Sequence, residues 1–147
     1  MIIAVDFDGV LCESRFPEIG APDYEVVSLV RQLIDAGHEV ILWTCRTGER
    51  LTEAVEWCED RGLRFCAVNR NAPSNRERFE AEYPHPSPKV YADVYVEDHD
   101  LLYRRADRLH REGTREHRAR ILESGRQAVV TELKVLLALG EESVHER

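Results

Sequence analysis

Four apolar runs, each too short for a buried helix and bounded by polar turn residues, are the strongest restriction on how this chain can fold. They fall at residues 2–7 (IIAVDF), 39–43 (EVILW), 63–68 and 90–96 (VYADVYV). Runs of four to eight apolar residues ended by Asp-Gly or a polar turn read as buried strands. Between the first and second, Pro22 and Asp23 open a segment with Val26, Leu29, Val30 and Leu33 at helical spacing, and Gly37 stops it as a residue past the helix end. Between the second and third, a helix is predicted from about 49 to 61, with Leu51, Ala54, Val55 and Cys58 on one face and Gly62 closing it. The order strand–helix–strand–helix–strand–loop–strand predicts an α/β domain. The expected form is a Rossmann-like three-layer αβα sandwich with a mostly parallel sheet and right-handed crossovers. Ligands of such sheets bind beyond the carboxyl ends of the strands.

Residues 69–88 break the alternation. They hold four prolines (Pro73, Pro84, Pro86 and Pro88) and many polar side chains, which predicts an irregular loop with one helical turn near 77–82. A loop this long inside a compact domain is more often functional than accidental. From Asp100 onward the pattern is helical, with a break at Gly113-Thr114 and a stop at Gly140. The chain therefore divides into a core at 1–100 and a helical extension at 101–147, packed on the core or at a subunit interface.

Charge divides the same way. Residues 1–100 carry 10 Lys/Arg against 20 Asp/Glu, and residues 101–147 carry 10 against 8, for a net −8 over 147 residues. An acidic body disfavours general nucleic-acid binding. The seven arginines between 104 and 120 would suit a polyanion, but only Tyr103 is at hand to stack a base. The apolar stripe from Ile121 to Leu137 fits packing on the core or pairing with a second copy. No apolar run approaches the ~18 residues of a membrane span, so no membrane partner is expected. The first residues lack the basic start of a signal peptide, and Cys12, Cys45, Cys58 and Cys66 form neither a CxxC pair nor a zinc spacing. Reduced thiols in the cytoplasm are the expectation.

The residues able to do chemistry gather at predicted strand ends. Asp6 and Asp8, in DFDG, stand two apart, which on an extended chain puts both carboxylates on one side. Like charges so close call for a cation or a proton between them, an arrangement suited to a nucleophilic carboxylate beside an acid/base. A calcium loop would need a glutamate at position 17, where Pro17 stands. Thr44 ends the second strand and could hydrogen-bond a phosphoryl oxygen, with Arg46 adding charge. Lys89, the only lysine in the first hundred residues, precedes the fourth strand, and Glu97-Asp98 closes it. Converging on one crevice, these would supply the nucleophile, acid, hydrogen-bond donor and cations that phosphoryl transfer requires.

Two rival sites fail on their surroundings. Cys58 and Arg64 have the C-x5-R spacing of a cysteine phosphatase, but they straddle a helix end without a glycine-rich cradle, and the residue six after Cys45 is Leu51. A receiver domain would carry its aspartate after the third strand, where this chain has Val68-Asn69.

Taken together, DFDGVL, LWTCR, Lys89 and VYVED resemble the four-motif signature of the haloacid dehalogenase superfamily of phosphatases and phosphotransferases. The stretch EAVEWCEDRGLRFCAVNRN is similar to the smallest bacterial and phage members, which lack a cap domain, and the likeness covers about residues 1–100. The resemblance implies a Mg²⁺-dependent phosphomonoesterase. Asp6 would form an aspartyl-phosphate, and Asp8 would act as acid and then base while its carbonyl binds Mg²⁺. Thr44 and Lys89 would hold phosphoryl oxygens, and Asp98, with Glu97 directly or through water, would complete the metal shell with Asp6. Gly9, Cys45 and Arg46, next to these motif residues, are candidate substrate contacts. Glu97 departs from the Asp-Asp pair of close relatives. The partner expected is a phosphorylated small molecule. The competing readings are transfer to an acceptor other than water, and a phosphate-binding or assembly module without catalysis.

Overall fold

The computed structural model describes residues 1–80, 89–97 and 115–145, with side chains of the last segment described over 123–139. Four strands, β1 (Ile2–Val5), β2 (Glu39–Leu42), β3 (Ala67–Val68) and β4 (Val94–Val96), form one sheet in the order β3-β2-β1-β4. Every neighbouring pair is parallel. The helices are α1 (Tyr24–Asp35), α2 (Gly48–Glu59), α3 (Pro73–Glu80) and α4 (Arg115–His145). This is the α/β, Rossmann-like architecture expected from the alternation of apolar runs and helical spacing.

The two sheet faces are covered differently. Ile3, Val5, Val40, Leu42 and Val96 face a cluster built by Val26, Val30 and Leu33 of α1, Ala54 and Cys58 of α2, and Val129, Val130, Leu133 and Leu136 of α4. The opposite face, Ile2, Ala4, Ile41 and Ala67, is covered by Ala72, Val90 and Ala92. Helix α4 packs along α1. Arg126 of α4 pairs with Asp23 and Glu25, and Lys134 pairs with Glu25. Asp23 is also the N-cap of α1, its carboxylate accepting from Val26 N–H at 3.2 Å.

Helices α1 and α2 end alike. Gly37 (φ 83°) and Gly62 (φ 75°) adopt left-handed backbone. The next residue in each case reaches back five positions, His38 N–H to the Leu33 carbonyl and Leu63 N–H to the Cys58 carbonyl. This is the Schellman closure, in which glycine carries no Cβ penalty.

Several boundaries differ from those read in the sequence. Leu63 is an apolar plug for the end of α2, 1% exposed, so β3 begins only at Ala67. Residues 90–93 are held mainly by side chains: the Tyr95 hydroxyl donates to the Val90 carbonyl and the Asp93 carboxylate accepts from Ile2 N–H, with one backbone bond from Asp93 N–H to the Ile2 carbonyl, leaving β4 at three residues. Helix α3 starts earlier than the predicted turn, at Pro73, whose missing N–H suits a first helical position. Helix α4 runs through Gly125 and Gly140 without stopping. One glycine costs a helix only about 1 kcal/mol, and the tertiary contacts of α4 together with its leucine-rich surroundings outweigh that. The predicted break at Gly113-Thr114 lies outside the described residues.

Candidate active site

The parallel sheet delivers the polar residues to one edge. Val5 pairs with Val96, and Asp6 N–H donates to the Val96 carbonyl at 2.9 Å, so the β1–β4 register sets Asp6 beside Glu97. On the other side, Val5 pairs with Leu42 and its carbonyl accepts from Trp43 N–H, carrying the ladder to the threshold of Thr44. Across the carboxyl edge the order is therefore Asn69, Thr44, Asp6 and Glu97, one from each strand end. Asp6 is half-buried, Thr44 is buried, and Glu97 and Lys89 are exposed. Asp98 lies outside the described residues.

The strand ends before Asp8. Extended geometry stops at Val5, and the chain turns at Phe7, whose carbonyl accepts from Leu11 N–H at 3.0 Å. The two-residue spacing of an extended chain therefore does not fix the relation of Asp6 to Asp8, but the fold still brings both near one group. Burial pushes the Cys12 thiol up to about 11, and the negative charges of Asp8 and, more weakly, Asp6 push in the same direction. Gly9 follows at φ 87°, exposed, in a conformation suited to glycine.

Arg46, a candidate substrate contact by its place beside Thr44, is 1% exposed in this conformation. Its Nε and Nη2 donate to the two oxygens of Asp8 at 2.8 and 2.7 Å. Nη1 and Nη2 also donate to the carbonyls of Pro17 and Glu18, at 3.0 and 2.9 Å. The guanidinium carbon sits 5.1 Å from the Phe7 ring centroid and 5.4 Å from that of Phe16. The bond to Asp8 and the neighbouring charge hold this guanidinium even more firmly protonated than usual. Arg46 thus contacts protein in this conformation, and Cys45 beside it remains exposed.

Two residues were missed as site architecture. Asn69 (φ 49°) brackets Thr44: its Oδ1 accepts from Thr44 N–H and its Nδ2 donates to the Thr44 carbonyl, both at 2.8 Å. An asparagine just past a strand is the type that tolerates positive φ, so a signal existed, though not for its partner. Gly20 is the other. A Cβ there would lie 2.2 Å from the Glu13 carbonyl oxygen, so glycine is needed where the two arms of the loop at 9–22 meet. The Thr44 hydroxyl accepts from Arg46 N–H at 3.2 Å and keeps its own proton to donate.

The donor set at this edge fits Mg²⁺ better than a thiolate-loving metal. Among the described residues no three His, Cys, Asp or Glu side chains gather as a metal cage. Mg²⁺ keeps several waters and is commonly bound by one or two carboxylates, which Asp6 and Glu97 on adjoining strands can provide. The rival cysteine site fares worse: burial pushes the Cys58 thiol up to about 12, far from a nucleophilic thiolate.

No family model matches this chain, and no curated protein does. A solved structure does: a conserved protein coded by a locus from Bacteroides thetaiotaomicron is 35% identical, with a TM-score of 0.58, over 78% of this chain and 93% of that one. At that identity and coverage this chain belongs to the same family as the Bacteroides protein. Among the described residues no helix is long and apolar enough to cross a membrane.

Proposed function

We propose that this protein is a Mg²⁺-dependent phosphatase of the haloacid dehalogenase type that hydrolyses a small phosphomonoester through Asp6. The observation that carries the proposal is the register of the central strand, which seats Asp6 next to Glu97 on one side and leads to Thr44 on the other. An Asp6 oxygen attacks phosphorus, and the leaving oxygen departs with a proton from Asp8. Water then attacks the aspartyl-phosphate, Asp8 takes its proton, and inorganic phosphate leaves with Asp6 restored. Each Asp8 oxygen accepts from Arg46 and has a second lone pair with which to carry that proton. Thr44 and Lys89 would hold the equatorial oxygens. Mg²⁺, when bound by Asp6, the Asp8 carbonyl and the Glu97-Asp98 pair, would offset the negative charge gathered there. The absence of a folded cap and a reducing cytoplasmic setting belong to the same proposal, the latter supported by four free cysteines.

Phosphate release from a panel of phosphomonoesters, with Mg²⁺ and with EDTA, tests it directly. The expected result is turnover that requires Mg²⁺ and falls by at least about 10³-fold in Asp6→Asn, as removal of a nucleophile does. Turnover indifferent to Asp6→Asn would remove the aspartyl-phosphate. Phosphate recovered on an added alcohol or sugar rather than in water would make the enzyme a phosphotransferase. No turnover from folded protein would leave a binding module.

A further inference from the structure

We propose that Arg46 is a positioning residue that fixes the Asp8 carboxylate and straps the tip of the loop at 9–22 to the turn after β1. Its catalytic half rests on the phosphatase reading above; its strapping half does not. Arginine is suited to this because its planar fork matches both carboxylate oxygens and has N–H groups left to donate elsewhere. Four hydrogen bonds leave this one guanidinium, two to Asp8 and two to loop carbonyls 17 and 18. Those carbonyls lie nine and ten residues further along the chain than Asp8, so one side chain ties the tip of the loop to the turn where it begins. The loop has few other anchors at its tip: Glu13, Arg15, Phe16, Pro17 and Glu18 are all exposed. Its base is closed by Glu13 N–H donating to the Ala21 carbonyl at 2.9 Å, where Gly20 lets the arms meet.

The flat faces of the guanidinium are used as well. Phe7, in the turn after β1, and Phe16, at the loop tip, both lie near it, and Phe16 is otherwise 65% exposed. An exposed aromatic held by one cation, beside the carboxylate assigned to proton transfer, makes loop position and Asp8 position depend on the same contact. A lysine could keep the buried charge but could not grip both Asp8 oxygens in a plane while reaching two carbonyls.

The test combines kinetics with proteolysis. Arg46→Lys and Arg46→Met are compared with wild type on p-nitrophenyl phosphate, alone and in an Asp8→Asn background. Far-UV circular dichroism checks the fold, and Arg46→Lys serves if Arg46→Met does not fold. Misplacing a reacting group by about 1 Å costs roughly 10²-fold, so kcat is expected to fall about 10- to 100-fold in Arg46→Lys with KM changed by less than about 3-fold. In the Asp8→Asn background the Arg46 substitutions should cost nothing further, because their effect passes through Asp8. A strut that merely supports the fold would give additive losses, and wild-type kcat in Arg46→Lys would equally overturn positioning. The strap is read separately, by the rate at which trypsin cuts after Arg15, whose side chain is 70% exposed. Cleavage should speed up at least about 10-fold in the variants, with fragment masses identifying the bond, since opening an ordered segment governs its proteolysis. Unchanged cleavage would overturn the strap. A wild type that releases no phosphate would sink the phosphatase reading and the catalytic half together, while the trypsin rate would still decide the strap.

Discussion

Asn69 shows how one side chain can fix the position of another, here Thr44, the proposed phosphoryl ligand. It holds both the N–H and the carbonyl of Thr44, and it does so from a positive φ that most residues avoid. Asn69→Ala removes both bonds, at about 1 kcal/mol each, and adds the strain of alanine in left-handed backbone. A loss of about 2–3 kcal/mol in urea unfolding is expected. Asn69→Gly, which loses the bonds but not the backbone freedom, should lose about 1–2 kcal/mol. Equal losses in the two variants would show that the backbone conformation carries no cost. The same residues mark the limit of what the sequence discloses. Asp6, Thr44 and Glu97 were legible because strand ends in a parallel sheet converge, and finding the strands finds their ends. Arg46 was legible as a residue of interest but not as a buried one, since arginine is ordinarily a surface group and its partner lies 38 positions away. Asn69 was visible as a polar loop residue within reach of a substrate but not as a partner of Thr44, since nothing local reveals that it closes on that residue, 25 positions back.

Elements were legible where a single periodicity governed them, and less so where tertiary contacts set the boundary. Helices α1 and α2 and their glycine stops follow from local pattern, whereas β3 and β4 are shorter than their apolar runs because Leu63 and Val90 are buried without joining a ladder. Helix α4 is the clearest case of tertiary control, since it passes two glycines while docked on α1. Its ionic seam gives a pH prediction. Hydrogen bonds from Lys134 and then Arg126 pull the Glu25 carboxyl below its ordinary value of 4.5. A carboxyl depressed in the folded state adds stability above its unfolded pKa, and that contribution disappears as pH falls through the folded one. Between pH 7 and about pH 3.5, wild type should therefore lose more stability than Glu25→Gln in matched thermal unfolding. Because the seam is exposed, about 0.5 M salt should narrow the difference at pH 7. Parallel pH curves for the two proteins would show that the Glu25 pairs of the α1–α4 seam contribute no pH-dependent stability.

For the molecule as a whole, the sheet brings acidic positions to one edge of an already acidic body. Ten more acidic than basic residues lie in the first hundred, and the positions of two of the acids, Asp6 and Glu97, adjoin at the ends of hydrogen-bonded strands. Holding like charges together costs stability unless a cation occupies the space between them. A cation that binds there stabilises the folded chain over the unfolded one, by about 2.7 kcal/mol at a concentration 100 times its Kd. Thermal unfolding should accordingly shift upward with about 10 mM Mg²⁺. The shift should shrink in Glu97→Gln and largely vanish in Asp6→Asn, because each removes one of the adjoining carboxylates. Calorimetry with and without Mg²⁺ reads the shift without any substrate. A wild-type midpoint unmoved by Mg²⁺ would take the metal out of the mechanism, and a shift that survives in both variants would place the cation away from this edge.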